Sequence, residues 1–116
     1  MHESSIELAS VTRRCDEALD GWKLRNNERQ NVLTCDIASN EAGAAVALET
    51  RLRYIVDIDQ TGRALLGEGL LLPIWLRVPQ TVFGGMSPLE LMVSHVNGLR
   101  LVRLTLVREQ LDRVVC

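Results

Sequence analysis

The chain has 116 residues, 47% of them hydrophobic, which suits one domain or two small lobes around a shared core. Trp22, Tyr54, Trp75 and Phe83 are its only aromatic side chains, so the interior is left to Leu, Val, Ile and Ala, a composition that favours packed helices. The net charge of −2 hides an asymmetry: residues 1–50 hold five basic and nine acidic side chains and residues 51–116 hold eight and six, the opposite of what an N-terminal lobe gripping DNA phosphates requires.

Residues 4–22 are expected to be helical, with Ser4 or Ser5 as cap. Leu8, Val11, Cys15, Ala18 or Leu19, and Trp22 form one apolar stripe at spacings of three and four. A second short helix is predicted over 26–35, capped by Asn26 or Asn27, with Val32 and Leu33 inward. After the interruption DIASNEAG, a long helical pattern runs from Ala44 to Leu66, with Gly62 as a possible break. Gly67-Glu68-Gly69 is a turn. The apolar run LLLPIWLRVP reads as a short helix from near Pro73 to just before Pro79, with a buried strand as the alternative and Trp75 expected in the core. Gly84-Gly85 then forms a hinge ahead of Ser87-Pro88-Leu89-Glu90, a capping box with proline at its favoured first helical position. That helix is expected to reach about His95, and Asn97-Gly98 turns the chain into the last one.

The last helix has two apolar stripes. Leu99, Val102 and Leu106 make one; Leu101, Leu104 and Leu111, with Val107 nearby, make the other, and Arg100, Arg103 and Arg108 lie between them. A helix in so small a protein rarely hides both in its own core, so one stripe is expected to meet another chain; the alternative is a helix sandwiched within the monomer.

No catalytic constellation accompanies these elements. His2 lies at the terminus and His95 at a helix end, and no GxSxG, Walker or GxGxxG pattern occurs. Asp57 and Asp59, two apart, diverge on a helix and make a poor carboxylate pair. Cys15, Cys35 and Cys116 are odd in number and lack CxxC spacing, which argues against a disulfide framework and against a zinc site. No signal-peptide pattern and no apolar run of about 20 residues is present, so a cytoplasmic, membrane-free protein is expected. The reading is a binding protein: not an enzyme, with no cofactor, no metal and no small-molecule substrate.

Four segments point to a family. RLRYIVDI (51–58) resembles the Arg-Ile-Ser-Tyr-Leu-Leu-Gly-Ile segment of the Xre/MbcA/ParS antitoxins. IWLRVP (74–79) is similar to their Trp-Leu-Arg-x-Pro-Asn piece, VFGGMSPLELM (82–92) to Leu-Phe-Gly-Gly-x-Thr-Pro-Leu-Glu-x-Met, and LRLVRLTL (99–106) to the helix bearing a Val-Arg pair. The resemblance covers about residues 51–108, and Phe-Gly-Gly-x-Ser-Pro-Leu-Glu is its most specific part. It implies an all-α fold: a helix-turn-helix-like bundle, residues 1–60, continuous with a small helical toxin-binding and dimerisation domain, residues 61–116. It also implies a homodimer that neutralises a RES-domain, NAD-consuming toxin by covering its active-site entrance.

On this resemblance the toxin-binding or dimerisation residues are Leu101, Arg103, Leu104, Val107, Arg108, Leu111, Val115 and Cys116, and the hinge and cap are Gly84, Gly85, Ser87, Pro88 and Glu90. In the N-terminal half, WKLRNNERQNVLT (22–34) resembles the family's Trp-x-Leu-x-x-x-Glu motif. The following segment, CDIASNEAGAAVALET (35–50), has no Arg or Lys where a recognition helix needs long polar side chains to read base edges. The lobe is therefore expected to keep the helical scaffold with little DNA affinity, leaving Arg13, Arg14, Lys23, Arg25 and Arg29 as weak phosphate contacts. The chain ends LDRVVC where many relatives carry an Arg-Arg-Gly-Gly-Trp-like tail, and either Val102-Arg103 or Val107-Arg108 aligns with the Val-Arg pair. A DNA-binding autoregulator of the Xre type and an orphan oligomerisation module are the alternatives.

Overall fold

The computed structural model describes residues 2–34, 41–67, 69–95 and 97–115, and side chains over 9–34, 48–67, 69–95 and 97–112. It is all-α, with no strand among the described residues. The helices are α1 (His2–Gly21), α2 (Asn26–Thr34), α3 (Glu41–Leu66), α4 (Leu71–Leu76), α5 (Pro88–Ser94) and α6 (Gly98–Val115), with a 3-10 turn at Thr81–Phe83.

One core joins all six helices. α1 contributes Cys15, Ala18 and Leu19, and Trp22 follows in the turn after it, in line with the expected stripe; α2 contributes Val32; α3 contributes Leu52, Ile55, Val56 and Ile58. Leu72 and Leu76 of α4, Leu89, Leu91 and Met92 of α5, and Leu99, Val102 and Leu106 of α6 complete it. α3 packs against both α1 and α6, and residues 60 and 61 both lie within it. Burial pushes the Cys15 thiol up to about 12, with the neighbouring Asp16 carboxylate adding to the rise, so it stays a protonated core group and a poor nucleophile. Cys35 and Cys116 lie outside the described residues.

Several local expectations shift. Gly62 does not break α3: a β-carbon there would lie 2.6 Å from Leu72 Cδ1, so the glycine is a notch into which α4 packs. α4 begins at Leu71, two residues before Pro73. Proline is tolerated at the third helical position because the first-turn amides have no intrahelical acceptor. Trp75 is half-buried against the core rather than inside it. α2 begins at Asn26, so Arg25 takes the cap position, and its amide donates to Glu28 Oε1 at 2.8 Å.

The expected capping box is present in full. Glu90 N donates to Ser87 Oγ at 3.1 Å, and Ser87 N donates to Glu90 Oε1 at 3.3 Å. Gly84 and Gly85, at φ of 67° and 88°, adopt the left-handed geometry that a side chain disfavours, and they turn the chain from the 3-10 turn into this cap.

Two arginines tie helices distant in the chain together. Arg51 is buried; its guanidinium donates from Nε at 2.8 Å and from Nη2 to the Val32 carbonyl, and from Nη2 at 3.5 Å to Met92 O. Both carbonyls sit in the last turns of their helices, α2 and α5. One cation thus caps two C-termini and interacts favourably with both dipoles. Arg77 of the IWLRVP segment reaches back to the α1–α2 turn. It donates to Glu28 Oε2 at 3.0 Å, to Oε1 at 2.8 Å, and to the carbonyl of Lys23 at 3.2 Å, where Lys23 holds a φ of 61°.

The Arg77 hydrogen bonds hold the Glu28 carboxyl down at about 2, from the usual 4.5. A depressed carboxylate stabilises the fold fully above its unfolded value and loses that contribution as pH falls through the folded one. Stability should therefore drop between pH 5 and pH 2. Because Arg77 is partly exposed, solvent screening reduces the effect to on the order of 1 kcal/mol. Urea midpoints measured across that window should flatten in Glu28→Gln; an equally steep slope in the variant would show that other carboxylates carry the acid sensitivity.

Candidate functional site

The anchored C-terminal helix presents the most distinctive surface. α5 is fixed at its start by the Ser87–Glu90 box and buries Pro88, Leu89, Leu91 and Met92. α6 then packs on α3 and α5 through Leu99, Val102 and Leu106, exposed by 2%, 0% and 2%. At 100° per residue these lie within a narrow sector, and Leu101, Leu104 and Leu111 fall on the far side. Those leucines are exposed by 43%, 49% and 57%, so the second stripe is not covered by its own subunit.

The remaining residues singled out on this helix differ in their surroundings. Arg103 is turned inward: its Nε donates to Asp57 Oδ2 of α3 at 2.8 Å, and its guanidinium lies over the Tyr54 ring at 5.4 Å from the centroid. It fastens α6 to α3. Arg100 and Arg108 are exposed, and neither pairs with a carboxylate among the described residues. Val107 is half-buried. Cys116 and the side chain of Val115 lie outside the described residues.

The N-terminal candidates differ in their surroundings. Arg13, Arg14, Lys23 and Arg25 are exposed. Arg29, however, donates to Asp20 Oδ1 at 2.6 Å and to Asp16 Oδ1 at 3.0 Å, so two α1 carboxylates neutralise it. Arg14 borders an open groove of about 630 Å³ between α1 and α3, shared with Glu17, Asp59, Gln60 and Arg63, in which acids and bases balance. Residues 35–40 and the side chains of 41–47, where a recognition helix would begin, lie outside the described residues. Asp57 and Asp59 diverge as their spacing requires: Asp57 meets Arg103 of α6, while Asp59 accepts from Trp22 Nε1 at 3.0 Å and from Arg63 Nε at 3.2 Å.

Among the described residues no cluster of three His, Cys, Asp or Glu side chains could hold a metal ion, and no helix is long and apolar enough to cross a membrane. His95 caps the C-terminus of α5, its amide donating to Leu91 O at 3.0 Å.

Residues 61–114, just under half of the chain, match the family model described as the antitoxin Xre/MbcA/ParS C-terminal toxin-binding domain. This segment is an Xre/MbcA/ParS toxin-binding domain. The matched span starts within α3, takes in Arg77, the Gly84-Gly85 hinge and the Ser87 cap, and runs nearly to the end of α6. The RLRYIVDI segment at 51–58 lies outside it. Comparison with curated proteins and with solved structures gave no match.

Sequence reasoning missed Arg51, Arg77 and Glu28 as the joints between this toxin-binding domain and the helices before it. Their partners lie 19 to 54 residues away in the chain, beyond the reach of periodicity. The available signal was that Glu28 and Arg77 both fall inside segments that resemble family motifs.

Proposed function

We propose that the protein is the antitoxin of a type II toxin–antitoxin pair, binding a RES-domain, NAD-consuming toxin and neutralising it by covering its active-site entrance. The observation that carries this reading is the exposed strip Leu101, Leu104 and Leu111 on a helix whose opposite side is fully buried. A soluble monomer gains nothing from such a strip, and a partner that covers it removes apolar surface from water at about 25 cal/mol per Å². Arg108, set among the leucines, gives the contact a charged anchor, with Val115 and Cys116 following at the chain's end. The protein acts by binding, as a homodimer in the cytoplasm where NAD is consumed, and catalyses nothing itself.

The rigid base of α6 supports the same reading. The Ser87–Glu90 box, the close α5–α6 packing and the Arg103–Asp57 pair fix the helix's direction before any partner arrives, which lowers the ordering cost of association. The first 60 residues are the scaffold of a helix-turn-helix lobe with little remaining DNA affinity. Neutralisation of Arg29 by Asp16 and Asp20 favours this over an operator-binding regulator.

Co-expression with the product of the adjacent reading frame tests the proposal. Growth should be restored and the two proteins should co-purify. Absence of both complex and rescue would overturn it. In a gel shift on upstream DNA, weak binding that vanishes as salt rises is expected; a salt-resistant, sequence-specific shift would favour the regulator instead.

A further inference from the structure

The molecule has a second exposed apolar strip, and it differs from the first in charge. Leu70, Leu71, Ile74 and Val78 are exposed by 63%, 57%, 55% and 45%. Their spacing of one, four and eight residues places them along one side of α4 and its C-terminal turn, while Leu72, Pro73 and Leu76 on the other side enter the core. Val82, 66% exposed, follows on the 3-10 turn. No charged residue interrupts positions 69–76, and the first one after them, Arg77, is already committed to Glu28.

We propose that this α4 strip is the homodimer contact and that the α6 strip is left for the toxin. The α6 half of the statement rests on the function proposed above.

Charge decides between the two surfaces. In a two-fold dimer the same patch meets itself, so whatever it carries is buried twice. The one charge along the α4 strip, Arg77, is already paired with Glu28, so the strip closes on its copy without desolvating an unpaired ion. On α6, Arg108 lies about 20° from Leu101 and about 40° from Leu104 around the helix, in the middle of the strip, with Arg100 beside it. A second copy offers this face Asp112 as its carboxylate for two arginines. A partner with its own acidic rim can pair both, and an unpaired buried guanidinium is costly.

The area agrees with a second copy of the chain. The five α4-side residues expose roughly 500 Å² per protomer, the size of the largest apolar patch on a typical monomer, which is often functional. Doubled by the two-fold, this is about 1,000 Å², the lower bound for a specific interface.

Sedimentation of the full chain from about 1 to about 100 μM tests this. The wild type should reach twice the 13.0 kDa chain mass. Ile74→Glu, and independently Leu71→Lys, should remain at the chain mass with an unchanged far-UV helical spectrum, a weakening of at least about tenfold. Leu104→Glu should still dimerise. A wild type that stays monomeric, α4 variants that keep the dimer mass, or a Leu104→Glu protein that becomes monomeric would each overturn the proposal. Toxin neutralisation, scored separately by growth on co-expression, should survive in Ile74→Glu if its concentration exceeds the toxin's. If Leu104→Glu also neutralises the toxin, the functional reading fails while the dimer assignment still stands on the masses.

Discussion

Gly98→Ala should lower the melting temperature by roughly 10 °C or more, although intrinsic helix propensity alone predicts the reverse. Alanine is better than glycine in a helix by about 1 kcal/mol, and Gly98 is the first residue of α6 without a left-handed φ. Packing reverses the sign. A β-carbon at Gly98 would lie 2.1 Å from Leu91 O, 2.6 Å from Leu91 C and 2.8 Å from Met92 Cα. All three neighbours are backbone of α5, so no side chain can rotate to make room. The clash is relieved only by separating α5 from α6, which pulls Leu99 and Val102 away from Leu91 and Met92. Forced overpacking of this kind costs about 1–3 kcal/mol, and more where backbone must move.

Gly85→Ala is the appropriate comparison. Its φ of 88° is strained for alanine, but the space around its Cβ is open, so a loss of only about 1–2 kcal/mol is expected. Thermal unfolding followed by circular dichroism ranks the two. A Gly98→Ala protein as stable as the wild type would mean that α5 and α6 are not apposed as closely as described, and α6 would lose the rigid base on which its role depends.

The parts of this architecture that could be read from the sequence are those whose causes are local. The Ser87–Pro88–Glu90 cap needs only four consecutive residues, and it forms as its residue types dictate. The stripes of α1 and α6 follow from a period of 3.6, which is a property of the chain before it folds. Gly62 misled for an equally physical reason: a glycine that loosens a helix and one that admits a neighbouring leucine look identical until Leu72 is placed against it. The start of α4 was displaced because Leu70 caps it without any side-chain hydrogen bond, leaving no signal for a boundary. The joints made by Arg51 and by Glu28 with Arg77 depend on tertiary proximity. Likewise, that Arg103 turns inward while Arg108 stays out is settled by Asp57 and Tyr54 on α3, which the α6 sequence does not contain. Of the two apolar strips, the one on α6 was legible as surplus. The one on α4 was concealed because its prolines and leucines read equally well as core.

Leu104→Glu should abolish toxin neutralisation while leaving the fold intact. Leu104 is 49% exposed and is flanked on the same side by Leu101 and Leu111, so the carboxylate remains in water in the free protein and should change stability by no more than about 0.5 kcal/mol. In a complex that covers the strip, the same carboxylate is desolvated at its centre. Central interface positions typically cost 2 kcal/mol or more when lost, which is at least about a 30-fold weakening. A buried charge without a partner adds to that.

Val102→Glu makes the contrast plain. Val102 is fully buried, so a charge there should unfold the C-terminal helices and abolish neutralisation for a different reason. Arg108→Ala should weaken the complex less than Leu104→Glu and make its affinity less sensitive to salt, since a partly exposed charge contributes more to encounter than to the packed contact. Growth rescue on co-expression, titrated against antitoxin level and read beside the melting temperature of each variant, separates the three. Full rescue by a folded Leu104→Glu protein would remove the α6 strip from the toxin contact, and with it the main physical reason for assigning this helix to inhibition.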